Sequence, residues 1–416
     1  MIDRGSTSFR FAGLSTCLLA ATLLVAGCGP RQDPRTLKAG QVLAEVSAQD
    51  PQFTVYALEV AARSSSPASE QFILDHLGAT DYQIAYAAAR AAFQRPSPAF
   101  EEGLRALFSS KGGVVKIEAA AALAELGDQA SLGWLRENVT DGSGAPSLRV
   151  ILYLASAGDD DVIRPVLEAA LASEEQEQRN QIYGLLGEIA TPWAAELTLA
   201  GFDKERGEGR REAIAALGRT GDESHAARIQ KFTNTQGLVF VTLEALGELG
   251  NPKWAPAVRE MLAHDEKSVK IYAAVALWKL GEAADVKKVV DELFVDPDWE
   301  VRLRLTEQLA SVDEPQALSM LATLAEDAEP KVRMEALRAL SRRAGEVGLE
   351  PTLLPRLEDP AYDVKALALD ILGPVGTPAV VDTIVPLMDD ENPYVAISAA
   401  NAVIEILSRQ AATAAP

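Results

Sequence analysis

Asp296-Pro297-Asp298-Trp299-Glu300-Val301-Arg302 decides the fold of this chain, because its pattern returns. The Val-Arg step recurs 31 residues on as Val332-Arg333, and after a further 32 as Val364-Lys365. Aligning the residue that opens each such segment gives Val55, Ile84, Val115, Leu148, Gln178, Gly209, Leu238, Val269, Val301, Val332, Val364 and Val395, at spacings of 29 to 33 residues. Elements of one globular core answer to a shared centre and would not keep this time, whereas units stacked on neighbours of the same shape do. The spacing predicts an all-α solenoid of about twelve stacked helix pairs over residues 36–408. Function is then expected on a surface.

Fixed offsets from each anchor sort the side chains. Four residues on, Ala88, Ala119, Ala213, Ala273, Ala336, Ala368 and Ala399 recur; eight on stand Leu123, Leu186, Leu217, Leu246, Leu277, Leu309, Leu340 and Leu372. Offsets of four and eight share one helical face, so this stripe is the expected core between layers, Ala admitting close helix approach and Leu filling the gap. One residue after the anchor, eight units are basic: Lys116, Arg149, Arg179, Arg210, Lys270, Arg302, Arg333 and Lys365. Five before it stand Asp50, Asp296, Asp327, Asp359 and Asp390, expected as acidic caps, with Pro51, Pro297 and Pro360 in the first helical turn. Gly127, Gly221, Gly250 and Gly281 suit helix ends.

The order of Asp-Pro turn, Val-Arg, Ala, Ala-Leu and Leu-Gly resembles the short bacterial HEAT-like repeat of the phycobilisome-lyase type, most closely from Leu238 onward. The Trp, Leu-Gly and Tyr signature of tetratricopeptide repeats does not recur in a fixed register. The resemblance implies a right-handed, armadillo-type superhelix in which the base after each anchor pairs with the turn Asp of its own or a neighbouring unit. Val239 and Ala396, standing in place of a base, mark expected gaps in that ladder.

Residues 1–27 are read as a signal peptide outside this fold: Arg4 and Arg10 are basic, Phe11 to Gly27 is an apolar run, and Leu24-Val25-Ala26-Gly27-Cys28 closes it. The small residues before Cys28 resemble a lipobox, which implies lipidation of Cys28 and a short tether over 28–35. At about 3.3 Å per residue that tether reaches roughly 25 Å. Gly29, where an Asp would resemble an inner-membrane retention signal, points to the periplasmic face of the outer membrane. Cys17 leaves with the signal and Cys28 carries lipid, so no thiol or disulfide is expected in the mature chain. Residues 409–416 are expected as a disordered tail.

Charge excludes some partners. With 39 Lys plus Arg against 60 Asp plus Glu, a formal net charge of −21, the chain should be repelled by nucleic acid and by anionic headgroups. Trp193 and Trp254 fall where a first helix faces the core and are read as packing residues. His76, His225 and His264 lie in different units, too far apart along a solenoid to converge on a metal. No nucleophile elbow or phosphate loop is present, and the acidic runs Asp159-Asp160-Asp161 and Asp389-Asp390-Glu391 are better read as capping and solvated residues than as Ca²⁺ ligands. No enzyme activity, cofactor or metal is expected.

What remains is the ridge at offsets three, six and ten of each second helix, which the resemblance places on the concave side. It carries Glu118, Glu125, Glu188, Glu212, Arg219, Glu244, Glu248, Tyr272, Lys279, Arg304, Arg338 and Arg342, acidic first and mixed later. Such a charge-graded groove suits a protein partner, and pairs within one helix suit a merely solvated face. The chain is read as a monomeric, lipid-anchored envelope scaffold that binds protein. Two other readings stay open: a lyase- or chaperone-like HEAT enzyme, and a binder of cell-wall glycan or another small ligand. The last should show clustered exposed aromatics, and none is visible along the chain.

Overall fold

The structure, a computed structural model, describes residues 33–141, 144–343 and 348–414. Its first eight α-helices are α1 (Pro34–Ser47), α2 (Pro51–Ala61), α3 (Pro67–His76), α4 (Tyr82–Gln94), α5 (Glu101–Ser110), α6 (Gly113–Glu125), α7 (Gln129–Glu137) and α8 (Leu148–Ser156). The next eight are α9 (Asp160–Leu171), α10 (Gln176–Ile189), α11 (Pro192–Phe202), α12 (Gly207–Thr220), α13 (Ala226–Ile229), α14 (Val239–Leu249), α15 (Ala255–Glu260) and α16 (Lys267–Lys279). The last are α17 (Ala283–Phe294), α18 (Trp299–Leu309), α19 (Pro315–Leu324), α20 (Pro330–Ser341), α21 (Glu350–Leu353), α22 (Tyr362–Val375), α23 (Val381–Ile384) and α24 (Pro393–Ala414). Odd and even helices pair in sequence, so the chain is an all-α solenoid of stacked helix pairs. The short first helices α13, α15, α21 and α23 are extended by 3₁₀ turns.

The predicted stripe is the core. Ala88, Ala119, Ala213, Ala273, Ala336, Ala368 and Ala399 are completely buried, as are Leu123, Leu186, Leu217, Leu246, Leu277, Leu309 and Leu372. Trp193 and Trp254 pack half-buried against that core. Even helices touch one another in unbroken succession from α2 to α24 and form the inner wall, while the odd helices back them from outside. Curvature toward the inner wall has a local cause. A Cβ on Gly218 of α12 would stand 2.7 Å from the Ala245 Cα of α14, and one on Gly247 would stand 3.0 Å from the Ala276 Cα of α16. Only glycine lets these inner helices come so close.

The basic ladder is present over part of the chain. Arg302 bonds Asp327 of the next pair through two nitrogens, at 2.6 and 2.7 Å, and donates to the Asp296 carbonyl of its own turn. Arg333 does the same to Asp359 at 2.8 and 2.5 Å, Lys365 reaches Asp390 at 3.2 Å, and Arg179 reaches Glu205 at 2.8 Å. Elsewhere it departs: Lys116 lies over the rings of Phe108 and Trp134, Arg210 donates to its own turn carbonyls, and Asp296 takes Lys267 rather than Lys270.

Several expectations are corrected. Of the five turn aspartates, Asp50 caps its helix directly, but Asp296, Asp327, Asp359 and Asp390 sit two residues before the cap and accept the N–H two residues on. They stabilise the turn into the helix rather than its end. Pro297 and Pro360 accordingly lie in the turn, ahead of the first helical residue. Residues 409–414 continue α24 instead of forming a tail. The largest difference concerns shape. α1 stacks on α24, and α2 also touches α24, so the solenoid's two ends meet and the expected superhelix closes into a ring.

Across the seam, Arg35 pairs with Asp382 at 2.8 Å and Lys38 with Asp389 at 2.7 Å. Inside, the Tyr56 and Ser398 hydroxyls are 2.8 Å apart, and Phe53 meets Tyr394 edge to face at 5.4 Å. Among the described residues no helix is long and apolar enough to cross a membrane. Residues 1–27 and Cys28 lie outside the described residues.

Candidate functional site

The inner wall presents most of the predicted ridge. Glu125, Glu188, Arg219, Glu244, Glu248, Arg304, Arg338 and Arg342 are exposed, and Glu212, Tyr272 and Lys279 are partly so. Glu118 does not belong there: it is completely buried, its carboxylate 2.6 Å from Arg149 Nε and accepting from the Tyr153 hydroxyl. Arg149 has therefore left the ladder to neutralise a carboxylate that burial would otherwise make costly.

Along α14 to α18 the ridge is knit between helix pairs. Lys279 of α16 binds Glu248 of α14, and Arg304 of α18 stands near enough to Tyr272 of α16 to pull its pKa down against the effect of burial. Glu244 keeps access to solvent yet is recessed in the wall; burial raises its carboxyl above the usual carboxylate range, against the pull of Lys279 and Arg219. Within single helices, Arg211 meets Glu212 at 2.8 Å and Arg338 meets Glu335 at 3.5 Å. The ridge is a charged surface that runs from acidic to basic along the chain, recessed at Glu244, Tyr272 and Lys279.

Ring closure builds a second feature that the sequence did not reveal. A cavity of about 780 Å³ opens on the inner wall, with Arg338 from α20 and Arg342 just past its end, Tyr362 and Asp370 from α22, Tyr394 from α24 and Tyr56 from α2 in its lining. The three tyrosines form one cluster, Tyr56 edge-on to Tyr394 at 4.9 Å and Tyr362 stacked with Tyr394 at 6.3 Å. Residues from opposite ends of the chain meet here, although only Tyr362 of the three is exposed.

Asp370 is the unusual member. Its side chain is 7% exposed; Oδ2 accepts from the Tyr56 hydroxyl at 3.2 Å and lies 4.0 Å from Arg63, while Oδ1 is buried without a hydrogen-bond partner. Burial pushes its pKa from 3.8 up to about 6, with Ser398, Arg63 and Tyr56 pulling it partly back.

A signal for this site did exist. Carrying offsets three, six and ten past Arg342 gives Leu367, Asp370 and Pro374, and then Ser398, Asn401 and Glu405. The first trio lines the cavity, and the second is buried because the first helix pair covers it.

The family model for HEAT repeats matches residues 286–351 and 350–415. No curated protein matches the chain. Among solved structures it is similar to Kap121p, at 14% identity, with 90% of this chain and 49% of that chain covered and a TM-score of 0.36. It is also similar to human deoxyhypusine hydroxylase, at 17% identity, covering 61% of this chain and 99% of that one, TM-score 0.29. A third is the CpcE and CpcF complex of phycocyanin lyase from Nostoc sp. PCC7120, at 17% identity, 72% and 94% covered, TM-score 0.28. The chain spans about half the length of Kap121p. At these identities the likeness concerns the fold.

Proposed function

We propose that this chain is a lipid-anchored scaffold of the cell envelope that holds a protein partner against the inner wall of its ring and performs no chemistry itself. The observation that carries this reading is the charged ridge of Arg219, Glu244, Glu248, Tyr272, Lys279 and Arg304, in which Glu244, Tyr272 and Lys279 are partly desolvated before any partner arrives. Charges already stripped of some water lose less on docking and discriminate partners by sign.

The anchor fits this arrangement. The described chain enters at Asp33 beside the seam, where Arg35 bonds Asp382. A lipid on Cys28, five residues earlier, would hold the seam side within roughly 20 Å of a membrane surface. The periplasmic face of the outer membrane is the proposed location, and a ring with one side tethered keeps its opening accessible to an envelope protein.

The test is recovery of partners from envelope extracts on the triple variant Glu212→Lys, Glu244→Lys and Glu248→Lys, beside the unaltered chain. Specific proteins recovered by the unaltered chain should be lost, and equal recovery by both would sink the proposal. Cys28→Ala should move the protein from the membrane to the soluble fraction.

A further inference from the structure

The seam cavity carries an inference independent of the scaffold reading. It is a cleft of the size that encloses small ligands, set between α20 and α22, neighbours on the inner wall, and its two sides differ in chemistry. On α22, Leu367, Ile371 and Val375 follow one another at steps of four, a stripe about 12 Å long along the helix axis. Ile371 is nearly buried, whereas Leu367, Val375 and Met334 of α20 keep part of their surface open. Half-covered apolar side chains gain roughly 25 cal/mol for each Å² that an apolar ligand takes out of water.

The α20 side is basic. Arg338 and Arg342 continue the register of Met334 at the same steps of four, so the three share one face. Arg338 is half exposed and shares Glu335 only at 3.5 Å, and Arg342 is exposed with no ion-pair partner among the described residues. Arg63, from the other end of the chain, is open to solvent and lies 4.0 Å from Asp370. The lining thus sets three guanidinium groups against the carboxylates of Asp363 and Asp370, an excess of one positive charge in a chain of net charge −21. That excess suits a single negative charge. A polyphosphate brings more charge than it can match, and a cation meets the accessible guanidinium groups first.

What the apolar side lacks decides the body of the ligand. The uncharged hydrogen-bonding side chains of the lining are Ser341 and three tyrosines, and the Tyr56 hydroxyl is already engaged with Asp370 and Ser398. A peptide laid along Leu367 and Val375 would bury backbone N–H and C=O groups against them without partners, whereas a hydrocarbon chain has none to bury. We propose that this cavity binds a fatty-acid-like monoanion, its carboxylate on Arg342 and Arg338 and its aliphatic chain along Leu367, Val375 and Met334. Because Tyr56 and Arg63 come from the first unit and the other residues from the last three, a bound ligand also stabilises the closed ring over an opened one by mass action.

The test is titration calorimetry on the full chain with decanoate, decanol, decyltrimethylammonium, acetate and N-acetyl-trileucine. Decanoate should bind about tenfold more tightly than the neutral or the cationic chain, the effect of one charge-assisted contact. Acetate, a carboxylate without a chain, should give no heat at the same concentrations. Arg342→Gln should erase the advantage of decanoate over decanol and leave decanol binding unchanged, while Leu367→Asn should weaken both alike. Arg342 is exposed, so its variant tests the site even should Leu367→Asn disturb folding. No heat from decanoate, equal binding of decanol, tighter binding of the peptide than of decanoate, or an undiminished preference in Arg342→Gln would overturn the proposal.

Discussion

The backbone N–H of Ser65 donates to the carboxylate of Glu405 at 2.9 Å, and the Ser65 hydroxyl donates to the other oxygen at 3.0 Å, across 340 residues of chain. Ser64 donates to the same group, and Glu405 is 3% exposed. One buried carboxylate in the last helix thus satisfies the turn that follows the first inner helix. Replacing it takes the acceptor from the buried Ser64 hydroxyl and from the Ser65 N–H, which costs about 1–3 kcal/mol. Glu405→Ala is expected to release the first helix pair ahead of the rest. Hydrogen exchange should speed up in residues 34–76 while the middle of the chain stays protected; uniform exchange across the chain would count against this.

Closure itself has a chemical readout. Lys38 Nζ lies 2.7 Å from the Asp389 carboxylate, and both side chains are reachable by solvent, at 41% and 66% exposure. A carbodiimide joins only groups already in contact. Mild treatment of dilute protein should yield a Lys38–Asp389 isopeptide within single chains, mapped by mass spectrometry. An open arc would give none.

Asp370 predicts a pH dependence. Its folded pKa of about 6 exceeds the ordinary 3.8, so between those values the folded ring holds a proton that the unfolded chain has lost. Stability then falls as pH rises through this window, and the full penalty of about 3 kcal/mol is reached above pH 6. Asp370→Asn should match the unaltered chain below pH 4 and be more stable by about 1–3 kcal/mol at pH 7.5. Denaturant titrations at the two pH values measure it, and a variant less stable at pH 7.5 would refute it.

Gly218 tests what curves the ring. Gly218→Ala would press a Cβ against the backbone of Ala245 at 2.7 Å, forcing α12 and α14 apart, at a cost of about 1–3 kcal/mol. Gly184→Ala, in α10 with nothing within 4 Å, should instead be neutral or stabilising by about 0.5–1 kcal/mol. Small-angle scattering should show an enlarged radius for the first variant only.

Much of this was legible along the chain because it is local. The beat of 29 to 33 residues, the Ala and Leu stripe and the ladder from Arg302 to Asp327 and Arg333 to Asp359 each concern one unit and its neighbour. Glu118 was misplaced because register alone cannot tell an exposed ridge from one that Arg149 and Tyr153 have covered. The aspartate caps were displaced by two residues because an Asp can serve the turn as well as the helix end.

Sequence by itself determined the repeating unit, since stacking interactions reach only from one helix pair to the next. Whether the stack stays open or closes depends on small angles summed over every pair, and these are set by close approaches such as Gly218 on Ala245 and Gly247 on Ala276. No single unit encodes that sum. Tertiary structure alone therefore decided that α1 meets α24, that Tyr56 joins Tyr362 and Tyr394, and that Asp370 loses its water.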